Sequence, residues 1–185
     1  MTAVDDLWYL ADEAAKQAAQ TYDDLSARYD DVVQFETTKQ VSRRRFRTVT
    51  ERIHENGAPY GAHTLTARND GALLLVRHEA VGLWVLPGGE TDGNESFRAA
   101  AERELGEEAG LSADYRGLGM LGRVTFHADG HSTWGVLPLF EARADAVTPT
   151  VEDPDGEITD AAWFDELPPD TRDREQLRIW RSHRF

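Results

Sequence analysis

The sequence predicts an α/β protein: a mixed β-sheet between helices, preceded by a helical N-terminal segment. Three observations carry this. Apolar residues recur at helical intervals through the first 57 residues; from Tyr60 onward short apolar runs alternate with turn residues; and one strong helix signal, from about Asn94 to Ala109, interrupts those runs.

Residues 3–31 are rich in alanine, glutamine and acids, with Leu7, Leu10, Ala14, Ala18 and Leu25 on a helical stripe, so one or two amphipathic helices are expected. Residues 32–40 read as strand-like or irregular. Val41 to Glu55 reads as a further helix, closed by Asn56, Gly57 and Pro59. The expected boundary lies there, with residues 1–57 a helical extension and 58–185 the main domain. Ala62 to Arg68, Leu73 to Arg77 and Leu83 to Leu86 read as strands, the first two joined at Asn69, Asp70 and Gly71. In the following helix Asn94 is the expected N-cap, Phe97, Ala101 and Leu105 form an apolar row, and Gly110 suits the C-terminal left-handed position. Tyr115 to Phe126 and Thr133 to Ala142 read as longer strands about the turn Ala128, Asp129, Gly130. A loop from Thr148 to Gly156, a short strand near Ala161 to Phe164 and a helix from about Thr171 complete the chain.

At 185 residues the chain can bury one substantial core. Its formal charge of −14 argues against a nucleic-acid duplex as partner. Lys16 and Lys39 are its only lysines and aspartate is abundant, a balance that resembles proteins of salt-adapted cytoplasm. Without cysteine there is neither a disulfide framework nor a thiolate metal site. No apolar stretch has the length to span a bilayer and no leader pattern opens the chain, so a soluble cytoplasmic protein with no membrane partner is expected.

The densest chemistry lies between Gly89 and Leu111, GETDGNESFRAAAERELGEEAGL. On a helix, Glu104, Glu107 and Glu108 fall at i, i+3 and i+4, so three carboxylates share one face and repel. Gly106 within the helix costs about 1 kcal/mol relative to alanine. Hard divalent cations such as magnesium take carboxylate oxygens, and three glutamates on one face suit one or more of them. Upstream, Gly88, Gly89 and Gly93 allow a loop whose backbone approaches a ligand closely.

Gly89, Glu95, Arg103, Glu104, Leu105, Gly106, Glu107, Glu108, Ala109, Gly110 and Leu111 together resemble the Nudix box at every specified position. The resemblance covers about residues 60 to 170 and excludes the first 55. It implies a Nudix fold, an α/β/α sandwich, and magnesium- or manganese-dependent hydrolysis of a pyrophosphate linkage in a nucleoside diphosphate joined to another group. Matched position by position, it implies Glu104, Glu107 and Glu108 as metal ligands with the carbonyl of Gly88. Glu104 also becomes a candidate to orient or deprotonate water. Arg103 and Glu95, next to Gly89, match a pair that braces loop against helix. Glu157, before Trp163 in GEITDAAWF, is the candidate for a further ligand or base, with Glu152, Asp153 and Asp155 as rivals.

Tyr60, Phe126 and Trp134 are candidates to stack on a nucleobase, and His127 and His131 flank a turn that could touch substrate, although aromatic strand residues are more often core. Arg43, Arg44, Arg45 and Arg47 form the only basic run, which reads first as a solvated face. The N-terminal helices could cap the sheet, bury a homodimer interface or complete a pocket. The expected function is hydrolysis of a nucleoside diphosphate derivative such as a nucleotide sugar. The alternatives are a nucleoside triphosphate sanitiser and a non-catalytic nucleotide sensor. The proline that marks many ADP-ribose hydrolases of this family is replaced by His127, which lowers ADP-ribose as a substrate.

Overall fold

A computed structural model describes residues 3–145 and 147–185. The chain divides into two compact units, Met1–Gly61 with Leu121–Pro138, and Ala62–Met120 with Leu139–Phe185. The long strands β6 (Asp114–Ala128) and β7 (His131–Arg143) contribute residues to both.

The first unit holds α1 (Ala3–Arg28), β1 (Val33–Gln40) and α2 (Arg43–Asn56) beside the hairpin segment 121–138. One stripe of α1, Leu7, Ala11, Ala14, Ala18 and Leu25, is buried, as are Phe46, Val49 and Ile53 of α2, and the two helices pack together. Ser42 caps α2 by accepting from the Arg45 N–H, and Gly57 ends it in the left-handed conformation at φ 90°. The Thr21 hydroxyl donates to the Asn56 carbonyl at 3.0 Å, which ties α1 to that helix end. β1 pairs with β6 at the sheet edge.

In the second unit the strand order is β6-β7-β2-β3-β4, with β2 (Ala62–Ala67), β3 (Leu73–His78) and β4 (Leu83–Val85). β2 runs parallel to β7, and its other pairings are antiparallel, so the sheet is mixed as expected. β8 (Ile158–Phe164) lies against β3, and the two-residue β5 (Gly88–Gly89) against β2. Along β2, side chains alternate between faces. Thr64 donates to the Ala101 carbonyl of α3 (Phe97–Ala109) at 3.3 Å, so α3 covers its face. Leu65 points the other way, where it borders Gly119 together with Trp180 of α4 (Arg174–Arg184). The core under α3 joins Leu105, Ala109 and Leu111 to Leu74, Val76, Val85 and Ile158.

Three expectations change. The N-cap of α3 is Ser96, not Asn94: Ser96 accepts from the Ala99 N–H at 3.1 Å, while residues 92–95 form a turn in which Glu95 N–H bonds the Asp92 carbonyl. The last helix begins at Arg174 rather than Thr171. Residues 170–172 are held extended along β4, with Trp84 N–H on the Asp170 carbonyl at 3.1 Å and Arg172 N–H on the Trp84 carbonyl at 2.9 Å. Gly88 and Gly89, expected as loop, form β5 because β2 offers them its backbone.

Candidate functional site

The site begins with β5. The Thr64 N–H donates to the Pro87 carbonyl at 2.9 Å and Gly88 lies opposite His63, so the glycine pair is fastened to β2. Only glycine fits at either position. A Cβ at Gly88 would stand 2.4 Å from the Ala62 carbonyl oxygen and from the His63 ring, and one at Gly89 would stand 2.6 Å from Glu104 Oε1. With no side chain in the way, the Gly88 N–H reaches Glu108 Oε2 at 3.0 Å.

Arg103 braces the other side. Its Nε and Nη2 grip both oxygens of Glu95 at 3.0 and 3.1 Å, and Nη2 also donates to the Glu90 carbonyl at 3.0 Å. Nη1 reaches Glu104 at 2.8 Å and Glu107 at 3.3 Å. Glu95 in turn accepts from the Asp92 N–H at 2.9 Å, so one guanidinium joins the loop before α3 to two acids on it. The Glu95 carboxyl is held below its usual range, first by its hydrogen bonds to Arg103.

A second acidic arm comes from the loop before β8. Thr150 N–H bonds the Ala109 carbonyl at 2.8 Å and Glu152 N–H bonds the Glu107 carbonyl at 3.1 Å, so the loop satisfies carbonyls that the end of α3 leaves free. Asp153 accepts from the backbone N–H groups of Asp155, Glu157 and Ile158, which fixes the turn. The Glu157 side chain, 62% exposed, is 3.5 Å from His78 Nε2.

Burial and these neighbours shift the acids. Glu108 is only 8% exposed and its carboxyl is pushed up to about 8, first by loss of water; the Gly88 N–H opposes this, and Glu104, Asp153 and Glu157 add to it. Glu104 is also raised, first by burial, with Arg103 opposing and Glu107 and Asp155 adding. The donor set suits a hard divalent cation: positive charge among these oxygens would reverse the causes that raise Glu104 and Glu108. Among the described residues, no three acidic or histidine side chains stand together as a chelating group. Arg103 draws Glu104 and Glu107 toward itself, while Glu108 turns to Gly88.

The raised Glu108 carboxyl has a consequence for stability. Between its unfolded value, near 4.5, and about 8 the folded chain retains a proton that the unfolded chain releases, so this contribution is full below 4.5 and is lost as pH rises through 8. His63, lowered to about 4 by burial and then by Arg172, acts oppositely, but only below its ordinary value near 6.5. With chelator present, the melting temperature is therefore expected to fall from pH 6.5 to 8, by about 2–4 °C per kcal/mol lost, and Glu108→Gln to flatten that slope. An equally steep fall in the variant would sink the assignment.

The other candidates lie in the first unit. Phe126 is fully buried and edge-on to Tyr60, so it is not available to stack on a base; its place in β6 points it into the core. Lys39 and Arg45 lie 5.0 and 5.8 Å from the Tyr60 ring centre. The Arg123 guanidinium covers Trp134 at 3.8 Å, with Tyr22 at its edge. His127 is half-buried and its carbonyl accepts from Val41 N–H, and His131 leans on Phe46. Arg43, Arg44, Arg45 and Arg47 are exposed on α2. Sequence reading passed over His63 and Arg172, since a histidine within AHTLTA and an arginine before the last helix carry no spacing signal.

A glycine pair on a strand, a helix bearing three acids and a bracing Arg–Glu pair define the class: the chain belongs to the NUDIX domain family, whose match covers residues 59–179. It is 36% identical over 86 residues to a Bacillus subtilis (strain 168) protein named as an 8-oxo-dGTP diphosphatase, which spans 46% of this chain and 58% of that relative. Among solved structures it is similar to the MutT NUDIX hydrolase of Burkholderia pseudomallei, at 26% identity over 65% of this chain and 96% of that one, TM-score 0.45. It is also similar to the NUDIX domain of Shewanella oneidensis NrtR in complex with ADP ribose, at 20% identity over 66% and 85%, TM-score 0.49. No described helix is long and apolar enough to cross a membrane.

Proposed function

We propose that this protein is a magnesium-dependent pyrophosphohydrolase that cleaves the pyrophosphate linkage of a nucleoside diphosphate derivative, such as a nucleotide sugar. The buried Glu108 carboxyl carries the reading: it is fixed by the Gly88 N–H and faces the charges of Glu104, Asp153 and Glu157, a cost that a hydrolytic metal site would recover. Glu104, Glu107, Glu108 and the Gly88 backbone are the proposed ligands, with manganese as a substitute. A divalent ion held there would polarise phosphoryl oxygens and make bound water a better nucleophile. Glu104, with a raised carboxyl, is the proposed group that orients or deprotonates the water. Glu157, exposed and near Glu108, is a further ligand or base, and Arg103 with Glu95 keeps the loop and helix in register.

The Bacillus subtilis relative favours a second reading, the sanitising of nucleoside triphosphates. Turnover of a panel of nucleotide sugars, dinucleotides and triphosphates, with and without magnesium, separates the two by product. The acidic, lysine-poor composition supports salt adaptation, so the panel is run at high and low salt. Magnesium-dependent release of a nucleoside monophosphate from nucleotide sugars is expected. Binding with no turnover of any member would replace catalysis with a sensing role.

A further inference from the structure

His63, Arg77 and Trp84 share one face of the sheet. Antiparallel register pairs Arg77 with Trp84, and extension of the Ala67↔Leu73 pairing places His63 on the same side. This face is opposite Thr64, Val76 and Val85, which pack toward α3. Residues 170–172 lie along it, fastened to Trp84 by two backbone hydrogen bonds, so Arg172 is anchored four residues before Gly88 on the neighbouring strand.

The polar groups here are unevenly satisfied. Arg77 is neutralised by Asp170 and rests over the Trp84 ring, which Phe164 meets edge-on with centroids 4.8 Å apart. Among the described residues, the half-buried Arg172 guanidinium makes no hydrogen bond or ion pair. Neither does the imidazole of His63, whose Nδ1 is buried, and the Thr171 hydroxyl beside them is buried and unpartnered as well. Buried polar groups are ordinarily paired, and an arginine without a carboxylate stands out in a chain of charge −14. Arg172 is near enough to His63 for its charge to act on the ring. Gly88 joins this face to the acids, with His63 as its strand partner and Glu108 on its N–H.

We propose that Arg172 and His63 form an oxyanion grip that holds a phosphate of the substrate on the sheet face away from α3, immediately beside the glycine pair. Arg172 supplies the positive charge and a planar fork of N–H donors matched to phosphate oxygens, and His63 adds one neutral N–H donor. The aromatic pair Trp84 and Phe164 leaves a flat apolar wall next to it. The grip deepens the pyrophosphohydrolase reading by assigning a phosphate-binding residue outside the conserved acidic helix, and it rests on that reading only for the identity of the substrate.

Pyrophosphate binding measured by calorimetry on the full chain, with chelator and no divalent ion, tests the grip apart from catalysis. The wild type is expected to bind, Arg172→Gln to weaken binding 10-fold or more, Arg172→Lys to weaken it less, and His63→Gln to weaken it several-fold. Near-UV circular dichroism checks that each variant is folded; if Arg172→Gln is not, the lysine and His63 variants decide. Undetectable binding by the wild type, or wild-type affinity in folded Arg172 and His63 variants, overturns the grip. Arg172-dependent pyrophosphate binding with no nucleotide turnover upholds the grip and removes the hydrolase reading.

Discussion

Glu107→Gln and Glu108→Gln each lower magnesium-dependent turnover by about 10²–10³-fold, the scale expected when a preorganised electrostatic group is lost from a site. The two variants reach this by different routes. Glu107 is on the open side of the helix, where its charge is shared with Arg103 at 3.3 Å, so glutamine removes a charge and frees the guanidinium. Glu108 is buried and its carboxyl is raised to about 8, so at neutral pH without metal the amide closely matches the protonated acid it replaces. Its oxygen can still accept from the Gly88 N–H. Glu108→Gln should therefore fold as well as the wild type or better, yet lose metal-dependent turnover because an amide cannot supply an ionised oxygen. Turnover within 3-fold of wild type in either variant would take that residue out of the mechanism.

Arg103→Ala is expected to affect both stability and turnover. The truncation strips both oxygens of Glu95, leaves the Glu90 carbonyl without its donor and exposes Glu104 to Glu107 with nothing between them. Hydrogen bonds to charged groups contribute about 1.5–3 kcal/mol each, and Arg103 is partly solvated, so a total loss of about 2–3 kcal/mol is expected. Activity should fall about 10–100-fold through the misplaced acids, as when a residue supporting a metal ligand is removed. Arg103→Lys should rescue little, because an ammonium cannot grip both oxygens of Glu95 in one plane. Denaturant melts with steady-state kinetics read both effects. Full activity in a folded Arg103→Ala chain would show that the brace serves stability alone.

These expectations rest on a helix that was legible in outline from its carboxylate spacing and from Gly110. Its start was not, because Asn94 and Ser96 are both good caps. The choice depends on Glu95, which is pulled into the loop by Arg103. Strands β2, β3 and β6 to β8 were legible by their apolar runs and turn residues, whereas β5 is only two glycines and owes its pairing to the edge that β2 presents. The acids of the 152–157 loop could be named but not ranked from sequence. The ranking depends on three backbone N–H groups that converge on Asp153 and leave Glu157 exposed. Phe126 looked like a stacking residue because alternation along a strand says that a side chain has a face, without saying whether that face is open.

In the first unit, Gly122 and Gly135 are receptacles. A Cβ at Gly122 would come within 2.5 Å of the Phe35 ring, and one at Gly135 within 2.6 Å of Pro59 and 2.8 Å of Ile53. The N-terminal 60 residues thus press into two hollows that belong to sequence about 60 to 90 positions downstream. Such a segment is not a cassette that recombination can move freely between genes. A recipient would need matching glycines in its own hairpin, so extension and hairpin are expected to be inherited together.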